Sequence, residues 1–396
     1  MIAMNSPRIS RREVLQSGTA AAALLAMFAN PGFVFPAQAA EEELVPFLDM
    51  PRARPGSLDW ETLNEWLTPQ DQVFAVSHYG VPKVDVEQYR LHLTGLVQQS
   101  KSLTLEEIKA LPKSDQLMTL ECSGNGSSKG FMSAVYNSRW TGTRLKPLLA
   151  ACGVDPAAVE VVFIGHDEQD ETLRKDTKRE LSFRVPFGRS LSLTDAFEID
   201  PLLAYERNGE PLSTENGAPL RLIVPGWYGI ANVKWLRRIE LRSTRYMGRF
   251  MARDYVTVRA EQRGEELVHV ETSVGPMNLK SIVARVTRTP SVEGQIPCKA
   301  YGAVWGNGTE IARVEVQVDK GAWKPATLAA EPRSKFSWTF FEIDLGHLPP
   351  GKHRIVSRGI DVTGRIQPAA TDDEIAQKKT YWEAYAQWPR EVELTA

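Results

Sequence analysis

Residues 312–323, ARVEVQVDKGAW, alternate apolar and polar side chains before a turn. Val314, Val316 and Val318 fall on one face, and Asp319-Lys320-Gly321 reverses the chain. A period of two specifies a half-buried strand, because a helix would scatter the three valines around its circumference. SKFSWTFFEIDL (334–345) and KHRIVSRGIDVTG (352–364) repeat the pattern. Short strands joined by turns predict an all-β sandwich of about a hundred residues. The pattern begins after about residue 250. A chain of 396 residues suits about two domains, so the expected division is 1–39, 40–250 and 251–396.

The first half mixes both periodicities, which predicts an α+β domain. Residues 40–70 are acidic and proline-bearing and read as an extended arm. VFAVSHYGVPKVD (73–85) reads as a short strand entering a loop, and YRLHLTGLV (89–97) as a half-buried strand. SLTLEEIKALP (102–112) predicts a short helix, with Thr104 and Glu107 as its capping box and Pro112 as its stop. A strand, QLMTLEC, then runs into Cys122. WTGTRLKPLLAACGV (140–154) predicts a second helix, with Leu145, Leu148, Leu149 and Cys152 on one face and Gly153 ending it. VEVVFIGHD (159–167) reads as a strand ending in a polar turn. LTDAFEIDPLLAYERNGEPL (193–212) starts helical and then turns. APLRLIVPGWYGIANVKWLRRIEL (218–241) predicts two strands about a proline-glycine corner.

The N-terminus has a different character. SRREVLQ carries Arg11 and Arg12, an alanine-rich apolar run follows, and PAQA ends it with Ala37 and Ala39 in a cleavage-site arrangement. The apolar run is too short to span a bilayer, and no other stretch is a candidate span. The paired arginines point to the twin-arginine export route, which carries folded proteins. Periplasmic residence with a prosthetic group already installed is therefore expected. Cleavage after Ala39 would leave the mature chain slightly more acidic. The whole chain is nearly balanced, with 47 basic and 49 acidic side chains, so nothing points to nucleic acid as a partner.

Only three cysteines occur, at 122, 152 and 298, too few and of the wrong parity for a disulfide framework. Cys152 sits on the apolar face of its helix and reads as core. Cys122 lies in TLECSGNG (119–126), where a strand gives way to a glycine-punctuated loop. It has three readings. As filler it continues the apolar run. As a nucleophile it requires a base, and none of the six histidines is near it in sequence. As a metal ligand it is alone, since a structural zinc site uses four donors and the chain has neither C-x-x-C nor H-x-x-x-H. A lone thiolate suits a metal whose other donors come from an organic cofactor.

TLECSGNG resembles the molybdenum-binding loop of the sulfite oxidase family. The resemblance continues in the same order through SRW-TG-TRLKPLLAACGV, DPLLAYERNGEPL, NGAPLRLIVPGWYGIANVKWL and GAVWGNGTEIARVEVQVDKGAW, from about residue 70 to the end. It implies a sulfite-oxidase-like molybdopterin domain followed by an immunoglobulin-like sandwich through which members dimerise. It also implies Mo-molybdopterin as cofactor, with Cys122 as the protein's metal ligand and oxygen transfer to a substrate lone pair as the chemistry. Tyr205 matches the active-site tyrosine. Phe74, Ser77, His78, Asp167, Asn216, Arg221, Asn232, Val233 and Lys234 match cofactor-binding positions. Of these, Arg221 and Lys234 suit the pterin phosphate, and Asn216 and Asn232 stand where relatives carry histidine.

The implied activity is oxidation of sulfite, a small sulfur oxyanion, to sulfate. Animal members hold the anion with two arginines, and the aligned positions here are Val76 and Ser127, with Lys129 nearby. A sulfane dehydrogenase subunit of a thiosulfate-oxidising complex is the alternative activity. A non-catalytic binding subunit with the same fold is a third reading, against which Cys122, Tyr205 and Arg221 speak. There is no C-x-x-C-H for an attached haem, so a separate c-type cytochrome is the expected electron acceptor.

Overall fold

The computed structural model describes residues 42–49, 56–128, 130–330 and 334–395. The leader with Arg11 and Arg12, and Lys129, lie outside the described residues. The chain forms an α+β domain built on two sheets, followed by a β-sandwich.

One sheet of the first domain runs in the order Arg221–Ile223, Leu202–Arg207, Val135–Arg144, Lys113–Glu121. The other runs Lys101–Leu103, Leu91–Gly95, Leu236–Arg242, Glu160–Leu173, Leu181–Ser192. Pairing is antiparallel except between Leu91–Gly95 and Leu236–Arg242. At Gly95 the ladder requires glycine. Its φ is +86°, and a Cβ there would lie 2.1 Å from the Leu241 carbonyl oxygen.

The short helix Leu105–Lys109 has the expected capping box, with Thr104 accepting from the Glu107 amide and Glu107 returning to the Thr104 amide. The second helix is shorter than expected, Leu145–Cys152. Residues 140–144 belong instead to the strand Val135–Arg144, where β-branched Thr141 and Thr143 alternate with Gly142 against Leu203. Pro147 is tolerated because it falls in the first turn, whose amides have no intrahelical acceptor. Leu145, Leu148, Leu149 and Cys152 are all buried. Each leucine contributes about 1.5–3 kcal/mol through removal from water.

Two other expectations are corrected. Residues 73–85 form no strand. Val73 and Phe74 pack beside Tyr136 in a small core while Val76 is 48% exposed, so the segment has no single apolar face to lay on a sheet. The strand from Glu160 does not end at Asp167 but continues to Leu173. Its register against Leu181–Ser192 shifts between Ile164 and Glu168. Such a bulge redirects side chains without ending the strand.

The sandwich opposes two sheets. One is Glu43–Val45, Lys280–Arg288, Ile296–Trp305, Thr339–Leu348, Thr327–Leu328; the other is Lys324–Pro325, Ile311–Val318, Gly351–Asp361, Arg390–Leu394. Val314 and Val316 point into the core between them with Val283, Val304, Phe341 and Ile355. The arm differs from expectation: Glu43–Val45 pairs with Lys280–Arg288 and so completes the second domain's sheet. The two domains share one core, in which Trp60 stacks on Trp305 at 6.0 Å. No helix among the described residues is long and apolar enough to cross a membrane.

Candidate active site

A cleft opens in the first domain where the loop after Lys113–Glu121, the irregular segment 74–78, the bulge at 165–167 and the turn 215–235 converge. Phe74, Ser77, His78, Cys122, Asp167, Asn216, Arg221, Asn232 and Lys234 line it, together with Ser123, Tyr136, Glu215 and Tyr255. Val233 does not. It is fully buried behind the wall, and its carbonyl accepts from the Leu222 amide.

The Cys122 loop is built to present a sulfur. The Cys122 amide donates to Ala134 O, and Cys122 O accepts from the Asn125 amide. Asn125 Oδ1 accepts from the Ala134 amide at 3.0 Å, tying the loop to the next strand. Gly126, with φ +97°, permits the return. Burial pushes the thiol's pKa up, opposed by the Gly124 and Asn125 amides and by Lys280. The group therefore holds its proton until a metal replaces it. Among the described residues no three His, Cys, Asp or Glu side chains are grouped to hold a metal ion. The donor set fits a metal that arrives with its other ligands.

The recess beyond Cys122 carries two cations, Arg221 and Lys234, beside two carboxyl groups, Asp167 and Glu215. Arg221, 3% exposed, donates from Nη1 to Asn216 O and from Nη2 to Asn232 O, lies over Trp140, and leaves Nε without a partner. Lys234 donates to Glu215 O at 2.8 Å. Burial first, and then Arg221, lower its pKa to about 7. An anion bound between these two cations would stabilise the charged form of each. Asp167 is aimed into the same recess by the bulge. Its Oδ1 has no partner, and burial raises its pKa to about 6. Ser123 Oγ is likewise buried and unpartnered. Buried polar atoms are normally satisfied, so these orphans mark where a polar ligand binds.

Asn216 lines the recess, with its amide nitrogen on Ser213 Oγ. Asn232 touches the cavity, but its side chain is committed elsewhere: Oδ1 accepts from the Val224 amide and Nδ2 donates to Tyr228 O. It shapes the wall and has no free donor for a ligand.

Tyr205 is a correction. It does not line the cleft and packs in the main core, 6% exposed, with Glu206, Lys113 and Asp115 as its nearest charges. The strand Leu202–Arg207 carries it away from Cys122. Two tyrosines line the cleft, Tyr136 and Tyr255, and Tyr255 is the one paired with His78. Its Oη lies 2.7 Å from His78 Nε2, and Cys122 is among the groups acting on it. Burial raises the pKa of the phenol and lowers that of His78 to about 4. Tyr255 holds φ +58° and stacks on Trp382 at 4.0 Å. A non-glycine residue in that region costs energy and clusters at functional sites. Its signal in the sequence, MARDYVTV, lies just past residue 250, where the pattern reads as the next domain.

At the open side, Val76 lines the cleft and Ser127 is exposed on the surface. Neither supplies a cation.

Residues 78–250 match the model of an oxidoreductase molybdopterin-binding domain, and residues 271–382 match that of a Mo-co oxidoreductase dimerisation domain. Rat mitochondrial sulfite oxidase is 30% identical over 334 residues, covering 78% of this chain and 58% of the rat protein. The chain thus spans less than two thirds of the length of the mammalian relatives it matches. The sulfite oxidase of Arabidopsis thaliana is 29% identical, covering 77% of this chain and 83% of the plant protein. Barley nitrate reductase is 29% identical over 71% of this chain and 34% of its own. The crystal structure of the sulfane dehydrogenase SoxCD from Paracoccus pantotrophus superposes with a TM-score of 0.69, covering 90% of this chain and 91% of that one at 24% identity, a likeness of fold.

The cofactor implied by these matches is Mo-molybdopterin, and the residues fit it. Cys122 would supply the thiolate, Arg221 and Lys234 the charge for a phosphate, and the unpartnered Asp167 Oδ1 and Ser123 Oγ the polar contacts for a heterocycle. Two domain models matched in order and sulfite oxidase sequence over most of the chain place this protein in the sulfite oxidase family of molybdopterin oxidoreductases.

Proposed function

We propose that the protein oxidises sulfite to sulfate and passes the electrons to a separate c-type cytochrome in the periplasm. The observation that carries this reading is the convergence of Cys122, Tyr255 and the Arg221–Lys234 recess on one cleft. The balance is sulfite plus water giving sulfate, two protons and two electrons. When bound, the molybdenum centre supplies an oxygen atom to the sulfur lone pair and accepts the electron pair. The chain's residues do the rest. Cys122 anchors the metal, and Arg221 and Lys234 hold the phosphate. Tyr255 Oη hydrogen-bonds the reacting oxygen. Neutral His78 hydrogen-bonds Tyr255 Oη through Nε2 at 2.7 Å and so orients the phenol.

The leader with Arg11 and Arg12 supports export of the folded, loaded protein. The match of residues 271–382 to a dimerisation domain supports a homodimer.

A second reading is favoured by Val76 and Ser127. Without cations at the mouth, capture of a free dianion is weakened. A sulfur substrate delivered on a carrier, and not as a free anion, would not depend on them. The solved sulfane dehydrogenase shares the fold.

Purified protein should contain stoichiometric molybdenum and reduce added cytochrome c when given sulfite. Absence of molybdenum overturns both readings. Molybdenum with turnover only in the presence of a haem partner and a sulfur-carrier protein selects the second. Cys122→Ser should abolish turnover while preserving the fold.

A further inference from the structure

The strand Lys113–Glu121 places Glu121 immediately before Cys122, and Glu121 is fully buried. A carboxylate in that position is costly without partners, and its strongest partners come from the second domain. Lys280 Nζ donates to Glu121 Oε1 at 2.6 Å, and Trp305 Nε1 donates to Oε2 at 2.8 Å. Lys280 opens one strand, Trp305 closes the next, and the two are paired in the ladder.

The grip extends along the whole loop. Lys280, 1% exposed, also donates to the carbonyls of Asn125 and Ala384. All three ammonium hydrogens are therefore used. Asn125 Nδ2 donates to Glu121 Oε1 at 2.9 Å, and the Ala384 amide donates to Ser123 O at 3.1 Å. Residues 121, 123 and 125 are thus each held by the sandwich domain or its C-terminal segment. The loop contains Gly124 and Gly126 and has little stiffness of its own.

A buried ion pair adds little net stability over an apolar pair of similar volume. What it does fix is geometry, and here the geometry is that of the residue beside the thiol. The structure assigns Lys280 and Trp305 as positioning residues for the Cys122 sulfur: through Glu121 and Asn125, the second domain holds the loop that presents the thiolate to the metal. This rests on Cys122 being the metal ligand.

The test uses full-length holoenzyme and reads two quantities besides turnover: the visible absorption band from cysteine sulfur to metal, and the rate of molybdenum loss on dialysis. Lys280→Gln should shift the band and lose metal roughly tenfold faster, the lower end for partners of a metal ligand. In Glu121→Gln/Lys280→Gln the two amides pair without net charge, and both quantities should return toward wild type. Lys280→Gln with an unchanged band and unchanged metal loss overturns the proposal, even if its Tm falls. A double variant no better than the single one also overturns it. Where Lys280→Gln does not fold, Trp305→Phe carries the test by removing one donor to Glu121. A shifted band with faster metal loss supports positioning, and an unshifted band overturns it. Cys122→Ser separates the levels: a band that survives this change sinks the ligand reading itself.

Discussion

His78 Nε2 and Tyr255 Oη lie 2.7 Å apart at the side of the cleft that carries Cys122. The pair joins a ring from the irregular segment before the first sheet to a phenol at the junction with the second domain. Burial keeps both groups neutral near pH 7, depressing the histidine and raising the tyrosine. With both groups neutral, the pair forms an uncharged hydrogen bond that fixes the direction of the phenol in the cleft.

Tyr255→Phe removes the hydroxyl without removing the ring stacked on Trp382. Turnover should fall on the order of 100-fold, the low end for a positioned proton-transfer group, with thermal stability nearly unchanged. Tyr205→Phe is the control. Its ring lies outside the cleft, so steady-state kinetics should match wild type. A large loss in Tyr205→Phe with none in Tyr255→Phe would reverse the assignment.

His78 also gives a stability signature in cofactor-free protein. Its pKa is about 4 when folded against 6.5 ordinarily, so between those values the unfolded chain binds the extra proton. Stability is therefore full above pH 6.5 and is lost as pH falls toward 4, by on the order of 3 kcal/mol. His78→Gln should flatten that limb of the stability–pH profile measured by urea unfolding. An unchanged slope would show that other groups carry the acid sensitivity.

The parts of the fold that were legible in the sequence are those where local pattern and tertiary demand agree. The valine alternation at 314–318, the Thr104–Glu107 capping box and the leucine face ending at Cys152 all appear as expected. Cys122, Arg221, Lys234 and Asp167 were legible through the resemblance, and the cleft brings them together. The failures share a cause. Residues 73–85 have strand-like composition but distribute their side chains between a core and a cavity. The local pattern ends a strand at Asp167, whereas a bulge turns it inward and the strand goes on. The motif around Tyr205 matches the family, but sequence order does not reveal that the side chain packs in the core and outside the cleft. Tyr255, beyond the apparent domain boundary, reaches the site because the domains share one core. The Lys280–Glu121 contact, 159 residues apart, has no local signature at all.

Lys234 predicts how cofactor loading depends on pH. In the cofactor-free protein its pKa is lowered to about 7 by burial and by Arg221. It is charged below that pH and neutral above it, so attraction for the cofactor's phosphate weakens as pH rises through 7. Loading of cofactor-free protein, followed by cofactor fluorescence quenching, should be tighter at pH 6 than at pH 8. Lys234→Met should bind more weakly and lose the pH dependence. A wild-type slope in Lys234→Met would assign the titration to another group. Arg221→Lys should also lower cofactor content, because an ammonium cannot reach Asn216 O and Asn232 O together as the guanidinium fork does.

Val76 offers the most direct test of what enters the cleft. The side chain lines the opening, is 48% exposed and contributes no charge. Val76→Arg introduces a cation at the mouth with space to extend and with little core packing to lose. If sulfite is captured as a free anion, KM for sulfite should fall while kcat changes little, since the added attraction acts on binding before the reacting geometry is reached. The gain should shrink as salt rises, because screening at an exposed site is strong. Surface placement also predicts a change in Tm of no more than about 0.5 kcal/mol in equivalent stability. A KM unchanged at low salt would mean that the natural substrate does not arrive as a free dianion, and would move the weight of the argument to a carrier-borne sulfur substrate.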